Sequence, residues 1–148
     1  MGRIAWTLFL FLIPFLFPNI ASPSQDEGSA IVGRWLREDK KNYIVEIYKC
    51  GEKYCGKIVW MKEPNDEQGN PRKDLENPDQ DLRGQPLIGL DVLESFAFLG
   101  QKKWDGGTIY SFNRGKKYNA KISMDGAKLQ LTASILFFSR TYSWIKVK

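Results

Sequence analysis

The sequence predicts an all-β protein, an eight-stranded antiparallel barrel of up-and-down topology. The prediction depends on two hairpins with regular apolar–polar alternation and on eight β-type runs joined by mostly short connections. A closed barrel also removes the exposed edges that an open sheet would present. The predicted strands span residues 33–38, 43–50, 54–61, 92–99, 107–112, 117–124, 127–134 and 139–147.

The N-terminal segment, residues 1–24, is expected to be a secretory signal peptide. A basic start is followed by an almost purely apolar run over residues 4–17 and then by small residues. A membrane anchor is disfavoured because a spanning helix needs about 20 apolar residues and Pro14 interrupts this run. Residues 25–148 are then a single domain, periplasmic or secreted, with no membrane span in the mature protein.

Composition disfavours several classes of function. The formal net charge is +5, and the basic residues are spread along the chain in nothing larger than pairs, so a nucleic-acid partner is not expected. The chain has no His and no G-x-S-x-G motif, which leaves no catalytic constellation and makes an enzyme the least favoured class. No cofactor is implied.

Cys50 and Cys55 are the only cysteines and lie between two β-type runs. A structural zinc site usually needs four Cys or His ligands, and a redox pair is more typically C-x-x-C at a helix start. In an oxidising compartment the two residues predict a disulfide across the neck of a hairpin. If Cys50 lies opposite Cys55, one face of the hairpin is apolar and faces the core. This face carries Val45, Ile47, Ile58 and Trp60.

A second hairpin is centred on Asp125-Gly126, a strong two-residue turn signal. Its apolar face is expected to line the barrel together with the face of the first hairpin. The candidate lining residues are Val45, Ile47, Ile58, Trp60, Tyr118, Ala120, Ile122, Leu129 and Leu131. The pattern does not assign a face to Phe137 or Phe138.

The connection from Glu63 to Pro86 is rich in Asp, Asn, Pro and Gly and is expected to be a long polar loop. Long loops in compact domains often act as lids, so this loop is expected to gate the barrel. Its four aspartates do not have the spacing of a calcium loop, and no metal site is predicted. They are Asp66, Asp74, Asp79 and Asp81.

Motifs from residue 33 to residue 147 carry a resemblance to a known family. They include Gly33-Arg34-Trp35, Cys50-Gly51, Cys55-Gly56-Lys57-Ile58-Val59-Trp60, Asn77-Pro78-Asp79, Leu82-Arg83, Trp104-Asp105-Gly106-Gly107, Ile109-Tyr110, Arg140-Thr141 and Trp144.

As a set, these motifs resemble a bacterial family of secreted proteins of unknown function with a lipocalin-like (calycin) barrel. The resemblance implies that Trp35 closes one end of the barrel beneath Arg140. It also implies a carrier of a small hydrophobic molecule. The alternatives are a filled barrel that acts through its surface, as a protein-interaction or envelope module, and, third, an uncharacterised enzyme.

Overall fold

A computed structural model describes Gly2 and residues 25–148. The predicted signal peptide, residues 1–24, lies outside the described residues apart from Gly2. The described chain begins with a short helix α1, Gln25–Gly28, and a 3-10 turn, Ser29–Ile31. Within the described residues, no helix has the length and apolar character that a membrane crossing requires.

Eight antiparallel strands follow and close into a barrel, which confirms the predicted fold class. Each strand pairs with its neighbour in the chain, and β1 pairs with β8 to close the barrel. The strands are β1 Gly33–Arg37, β2 Tyr43–Cys50, β3 Lys53–Met61, β4 Asp91–Gly100, β5 Lys103–Ser111, β6 Lys116–Asp125, β7 Lys128–Ile135 and β8 Phe138–Val147.

Strand β5 begins at Lys103 and not at residue 107 as predicted. The sequence Asp105-Gly106-Gly107 has the composition of a turn, but here it is an irregularity within the strand, because the pairing with β6 shifts register between Trp104 and Gly107. Gly106 has φ +73°, a conformation that glycine adopts without the steric cost of a side chain. The strand therefore passes through the glycines with a local bend.

The predicted disulfide is present, with an S–S distance of 2.03 Å and a Cα–Cα distance of 5.8 Å. The predicted register of its hairpin is wrong, because Cys50 pairs with Lys53 and Cys55 pairs with Tyr48. The turn is the two-residue Gly51-Glu52, with Gly51 at φ +68°. The bond therefore crosses the hairpin diagonally, and the two cysteines still share one face.

Trp60 does not line the barrel, which corrects the prediction for this residue. A register shift between Ile44 and Val45 places one extra residue in β3, so Val45 pairs with Ile58 whereas Ile44 pairs with Trp60. Since side chains alternate along a strand, the extra residue reverses the faces beyond it. Trp60 is 44% exposed, and Met61 is buried instead.

The hairpin at Asp125-Gly126 keeps its predicted faces although its register differs from the predicted one. Asp125 pairs with Lys128 and Ile122 with Leu131, a shift of two residues in the pairing. A shift of two preserves which face each side chain occupies, whereas a shift of one would reverse it. The interior positions of β6 and β7 were thus predictable even though the turn residues were not.

One half of the barrel is filled by side chains. The fully buried residues there include Trp35, Val45, Ile58, Phe96, Trp104, Ile122, Leu129 and Leu131. The helical segment before β1 covers this end, because the indole N–H of Trp35 donates to the Ile31 carbonyl at 2.7 Å and that of Trp104 donates to the Gly28 carbonyl at 3.1 Å. We call this the closed end.

Candidate functional site

A cavity of about 660 Å³ lies at the barrel end opposite the closed end. It is lined by the end of β1, the β1–β2 connection, the β5–β6 hairpin and the facing ends of β7 and β8. In an up-and-down barrel these connections all emerge at the same end. We call this the open end, and its cavity the main cavity.

Aromatic rings form one wall of the main cavity. The Tyr43 ring meets Phe112 and Trp144 in edge-to-face contacts, each with ring centroids 5.7 Å apart. Ile109 and Ala133 extend this wall with aliphatic surface. Rigid rings and small aliphatic groups of this kind bind an apolar ligand surface, as is usual in small-molecule sites.

Four cationic side chains, which we call the cationic rim, also line the main cavity: Arg37, Lys40, Arg114 and Arg140. No Asp or Glu is among the described residues that line it. Arg37 is held by two hydrogen bonds to the Asp39 carboxylate, at 2.6 and 2.7 Å. The other three form no ion pair with a carboxylate of the described chain.

The tyrosines of the main cavity lie beside its cations. A hydrogen bond with the Tyr118 hydroxyl raises the pKa of the Arg114 guanidinium above its ordinary value. Burial raises the pKa of the Tyr43 hydroxyl, although the nearby Arg37 guanidinium opposes the shift. The Arg140 guanidinium carbon lies 5.4 Å from the centre of the Tyr142 ring, within cation–π range. The cavity therefore combines positive charge with neutral phenols.

Two buried polar atoms beside the main cavity have no hydrogen-bond partner among the described residues. They are the indole Nε1 of Trp144 and the amide Oδ1 of Asn42. Both residues line the cavity, and Trp144 is almost fully buried. Because an unpaired buried donor or acceptor is destabilising, such atoms are natural hydrogen-bond points for a bound molecule.

The long loop after β3 does not line the main cavity, which corrects the expectation that it gates the barrel there. Glu63 and Arg72 instead line a smaller adjacent cavity of about 350 Å³. The loop is held by its own hydrogen bonds and by Asp74, which accepts from the Asn77 amide at 2.7 Å and from the Tyr110 hydroxyl at 2.9 Å. Asp74 is fully buried, so this contact fastens the loop to β5.

Most predicted lining residues belong to the packed half of the barrel and not to the main cavity. These are Val45, Ile47, Ile58, Ala120, Ile122, Leu129 and Leu131, all of them buried. Among the nine predicted residues, Tyr118 lines the main cavity and Trp60 lies on the outer surface. The alternation that identified interior positions did not reveal how far along each strand the packing extends.

Arg140 does not cover Trp35, which corrects the predicted closure of the barrel. Since β1 and β8 are antiparallel, Trp35 pairs with Lys146 near the end of β8, whereas Arg140 lies near its start and lines the main cavity. The Lys146 Nζ lies 5.5 Å from the centre of the Trp35 ring. Lys146 thus occupies the place predicted for an arginine.

The cationic rim was not predicted from the sequence because its members come from three separate segments of the chain. Arg37 ends β1 and Lys40 lies in the β1–β2 connection, whereas Arg114 lies in the β5–β6 connection and Arg140 near the start of β8. The predicted topology places these segments together, because alternate connections of an up-and-down barrel lie at the same end. The β5–β6 hairpin has a four-residue loop between the paired residues Ser111 and Lys116.

The aspartates of the long loop act as hydrogen-bond acceptors for the loop itself. Asp66 accepts from the backbone N–H groups of Gln68 and Asn70, and Asp79 accepts from that of Asp81. These are turn and capping interactions. In the described part of the chain, no three His, Cys, Asp or Glu side chains are grouped so that they could hold a metal ion.

The closed barrel, with a helical segment under one end and a cavity at the other, has a lipocalin-like fold. A solved structure, described as protein HP1028 from the human pathogen Helicobacter pylori and as a member of the lipocalin family, matches with a TM-score of 0.71. Sequence identity is 20%, over 80% of this chain and 83% of that chain.

The family follows from the sequence itself. Residues 33–146 match the family described as "Uncharacterized protein conserved in bacteria (DUF2147)", and the chain belongs to this family. No curated protein matches the chain.

Proposed function

We propose that this protein binds a small amphipathic molecule in the main cavity, with an apolar body and an anionic head group. The apolar body packs against the aromatic wall formed by Tyr43, Phe112 and Trp144. The head group lies at the cationic rim, where Arg114 and Arg140 supply charge and planar hydrogen-bond donors suited to a carboxylate or phosphate. The single observation that carries this proposal is the coexistence of that wall and that rim in one cavity.

The size and shape of the cavity limit the ligand. A volume of about 660 Å³ lies within the range of small-molecule sites, about 300–1,000 Å³. The packed half of the barrel blocks further penetration, because Phe96, Ile122 and Leu131 fill it. A ligand therefore enters at the open end, and its apolar body stays within the main cavity.

The unpaired donor of Trp144 adds a specific contact. An acceptor oxygen on the ligand, placed against the aromatic wall, satisfies the indole N–H after a small movement of neighbouring side chains. Trp144 is also a spectroscopic reporter, since its emission responds to a hydrogen-bond partner and to a change in local polarity.

Matched ligands test the proposal. Dodecanoate and dodecanol share the same hydrocarbon chain and differ in the charge of the head group. Calorimetric titration of the protein should show tighter binding of dodecanoate, by about tenfold, because each 1.4 kcal/mol of charge-assisted contact corresponds to a factor of ten. The double variant Arg114→Gln/Arg140→Gln should lose this preference and retain the binding of dodecanol.

Lys121→Gln provides the control, because Lys121 is an exposed cation of β6 outside the main cavity and its removal lowers the net charge without changing the rim. Equal affinity for the two ligands in the wild-type protein contradicts an anionic head group. The binding function itself is contradicted if neither ligand binds and if mass spectrometry of the purified protein detects no bound molecule that is released on denaturation.

The location and processing of the chain belong to the same proposal. We propose that residues 25–148 are the mature domain and that it works in the periplasm or outside the cell. The disulfide between Cys50 and Cys55 supports this, because such bonds persist in oxidising compartments. We propose a binding protein and no enzyme, since Asp74, the buried carboxylate, is engaged by Asn77 and Tyr110 in holding the loop.

A further inference from the structure

The turn between β7 and β8 is made of apolar side chains that point into solvent. Ile135, Leu136, Phe137 and Phe138 are 52%, 90%, 99% and 77% exposed. They are consecutive, and elsewhere in the described chain the exposed large apolar side chains do not form a run of this length. We call these four residues the apolar tip.

The composition of the apolar tip is unusual for a hairpin turn. The other tight turns of the barrel carry Gly51-Glu52, Gln101-Lys102 and Gly126-Ala127, which are small or polar. Leu136 also has φ +51°, a left-handed conformation that is sterically unfavourable for a leucine. The tight turns of the barrel need this conformation, as Gly51, Gln101 and Gly126 show, but a bulky leucine carries a steric cost there that glycine would avoid, and local strain of this kind points to a function.

The apolar tip lies at the open end and continues into the main cavity. Ile135 and Phe138 flank the turn as a pair and also line the cavity. Arg114 and Arg140 of the cationic rim line the same cavity. In an anionic lipid surface, hydrocarbon lies beneath negatively charged head groups. The apolar side chains of the tip suit the hydrocarbon, and the cations of the rim suit the head groups.

We propose that the apolar tip docks the open end of the barrel onto an anionic lipid bilayer. Leu136, Phe137 and Phe138 insert at the boundary between head groups and acyl chains. The rim cations contact the lipid phosphates. Charge favours lipid over a protein partner, because no Asp or Glu among the described residues lining the main cavity offsets the rim cations, and an anionic bilayer supplies the opposite charge beside its hydrocarbon.

Docking in this orientation directs the mouth of the main cavity toward the bilayer. A molecule that leaves the lipid enters the barrel without crossing water, which suits an amphipathic ligand. This route rests on the proposed function, whereas the docking itself does not. The two are separable, because docking is measured with vesicles alone and binding with soluble ligands.

A dye placed in the apolar tip tests the docking directly. Leu136→Cys, labelled with an environment-sensitive nitrobenzoxadiazole dye, is mixed with vesicles of phosphatidylcholine alone or of phosphatidylcholine with phosphatidylglycerol. We expect a blue shift and a rise in emission with the anionic vesicles, and a weaker response with the neutral ones. The native cysteines do not interfere, because both are in the disulfide.

The matched control carries the same dye at Leu99→Cys. Leu99 is 61% exposed and lies on β4 near the closed end, so its dye should stay in water. Each dye reports only its own surroundings. A membrane contact made by another part of the chain therefore does not give a blue shift at residue 136 without one at residue 99.

A second measurement removes the apolar tip. Phe137→Ser/Phe138→Ser should reduce the partitioning of the protein onto anionic vesicles by about tenfold, and the loss of these two exposed rings leaves the packed barrel intact. An unshifted dye at residue 136 overturns the proposal, as does an equal shift at both sites. A blue shift that appears without vesicles and grows with protein concentration also overturns it, and indicates that a second copy of the chain covers the tip.

Discussion

The hydroxyl of Tyr110 donates a hydrogen bond to the buried carboxylate of Asp74 at a distance of 2.9 Å. The contact joins strand β5 to the long polar loop, thirty-six residues apart in the sequence. Asp74 also accepts from the Asn77 amide at 2.7 Å, so both of its oxygens are used. The loop is therefore fastened to strand β5 at Asp74.

Removal of either partner should destabilise the protein. Tyr110→Phe leaves one carboxylate oxygen of Asp74 without its donor, and Asp74→Asn places an amide N–H against either Asn77 or Tyr110. We expect each to lower the free energy of unfolding by about 1–3 kcal/mol, the cost of an unsatisfied buried polar group. Urea denaturation measures this loss.

Tyr48→Phe is the matched control for Tyr110→Phe. The Tyr48 hydroxyl also donates to an aspartate, Asp91, at 2.7 Å, but this pair is exposed to solvent. Its loss should cost under about 1 kcal/mol, since water replaces the missing donor. Equal losses at the two sites contradict the importance of burial at Asp74.

The same pair predicts a dependence of stability on alkaline pH. Burial and the hydrogen bond to Asp74 raise the pKa of Tyr110 from 10.0 to about 12. Between these values the folded protein keeps the phenolic proton and the unfolded chain has lost it, so the stability that Tyr110 contributes falls as the pH rises. It is complete below pH 10 and lost as the pH passes about 12.

The difference in unfolding free energy between the wild-type protein and Tyr110→Phe should therefore shrink across this window. Groups common to both proteins cancel in the comparison. A difference that stays constant from pH 9 to about 12 is inconsistent with a raised Tyr110 pKa.

We expect the stability of the barrel to depend on Trp35 at the closed end and not on Arg140, which lies at the open end. Trp35→Phe removes the indole donor to the Ile31 carbonyl and part of a fully buried ring. We expect a loss of about 2–4 kcal/mol in thermal or urea unfolding. Arg140→Gln, at the open end, should change stability by under about 0.5 kcal/mol, as is usual for surface substitutions. A large loss for Arg140→Gln favours the covering role that the resemblance implied.

Gly107 in β5 lies against the Phe96 ring so closely that a side chain at this position should disrupt the packing. A Cβ atom added at Gly107 would lie 2.5 Å from the ring of Phe96, which is fully buried. We expect Gly107→Ala to lower the unfolding free energy by about 1–3 kcal/mol, the usual cost of overpacking a core. At Gly84, a Cβ atom meets nothing within 4 Å, so Gly84→Ala is the control and should be nearly neutral.

Alternation along the strands predicts the faces of the barrel well, because a register error of two residues leaves every side chain on its face. The disulfide hairpin shows this, since Ile47 and Ile58 are buried although Cys50 pairs with Lys53. The prediction fails at Trp60, where one extra residue reverses the faces. Such a bulge depends on how neighbouring strands twist and pack, which a single strand sequence does not encode.

The candidate site was less predictable than the fold, for a related reason. Arg140 was recognised in the sequence, but its position was taken from a resemblance and not from the antiparallel pairing of β1 with β8. That pairing places Lys146, and not Arg140, beside Trp35. The residues that give the open end its character are dispersed, and the barrel brings them together only when all eight strands have closed.

Removal of the disulfide between Cys50 and Cys55 should lower the stability of the protein without changing its affinity for a ligand. Cys50 and Cys55 lie at the β2–β3 turn, which is at the closed end and opposite the main cavity. The loop that they close is short, so Cys50→Ser/Cys55→Ser should cost about 2 kcal/mol on the chain-entropy estimate. The two-residue turn and its strand pairing remain, so the variant should fold and bind dodecanoate with unchanged affinity at temperatures well below its unfolding midpoint. Urea unfolding and calorimetric titration of the same preparation measure the two quantities. A large loss of affinity in a folded variant means that the closed end and the main cavity are coupled through the packed half of the barrel, and that the division between them drawn from burial is wrong.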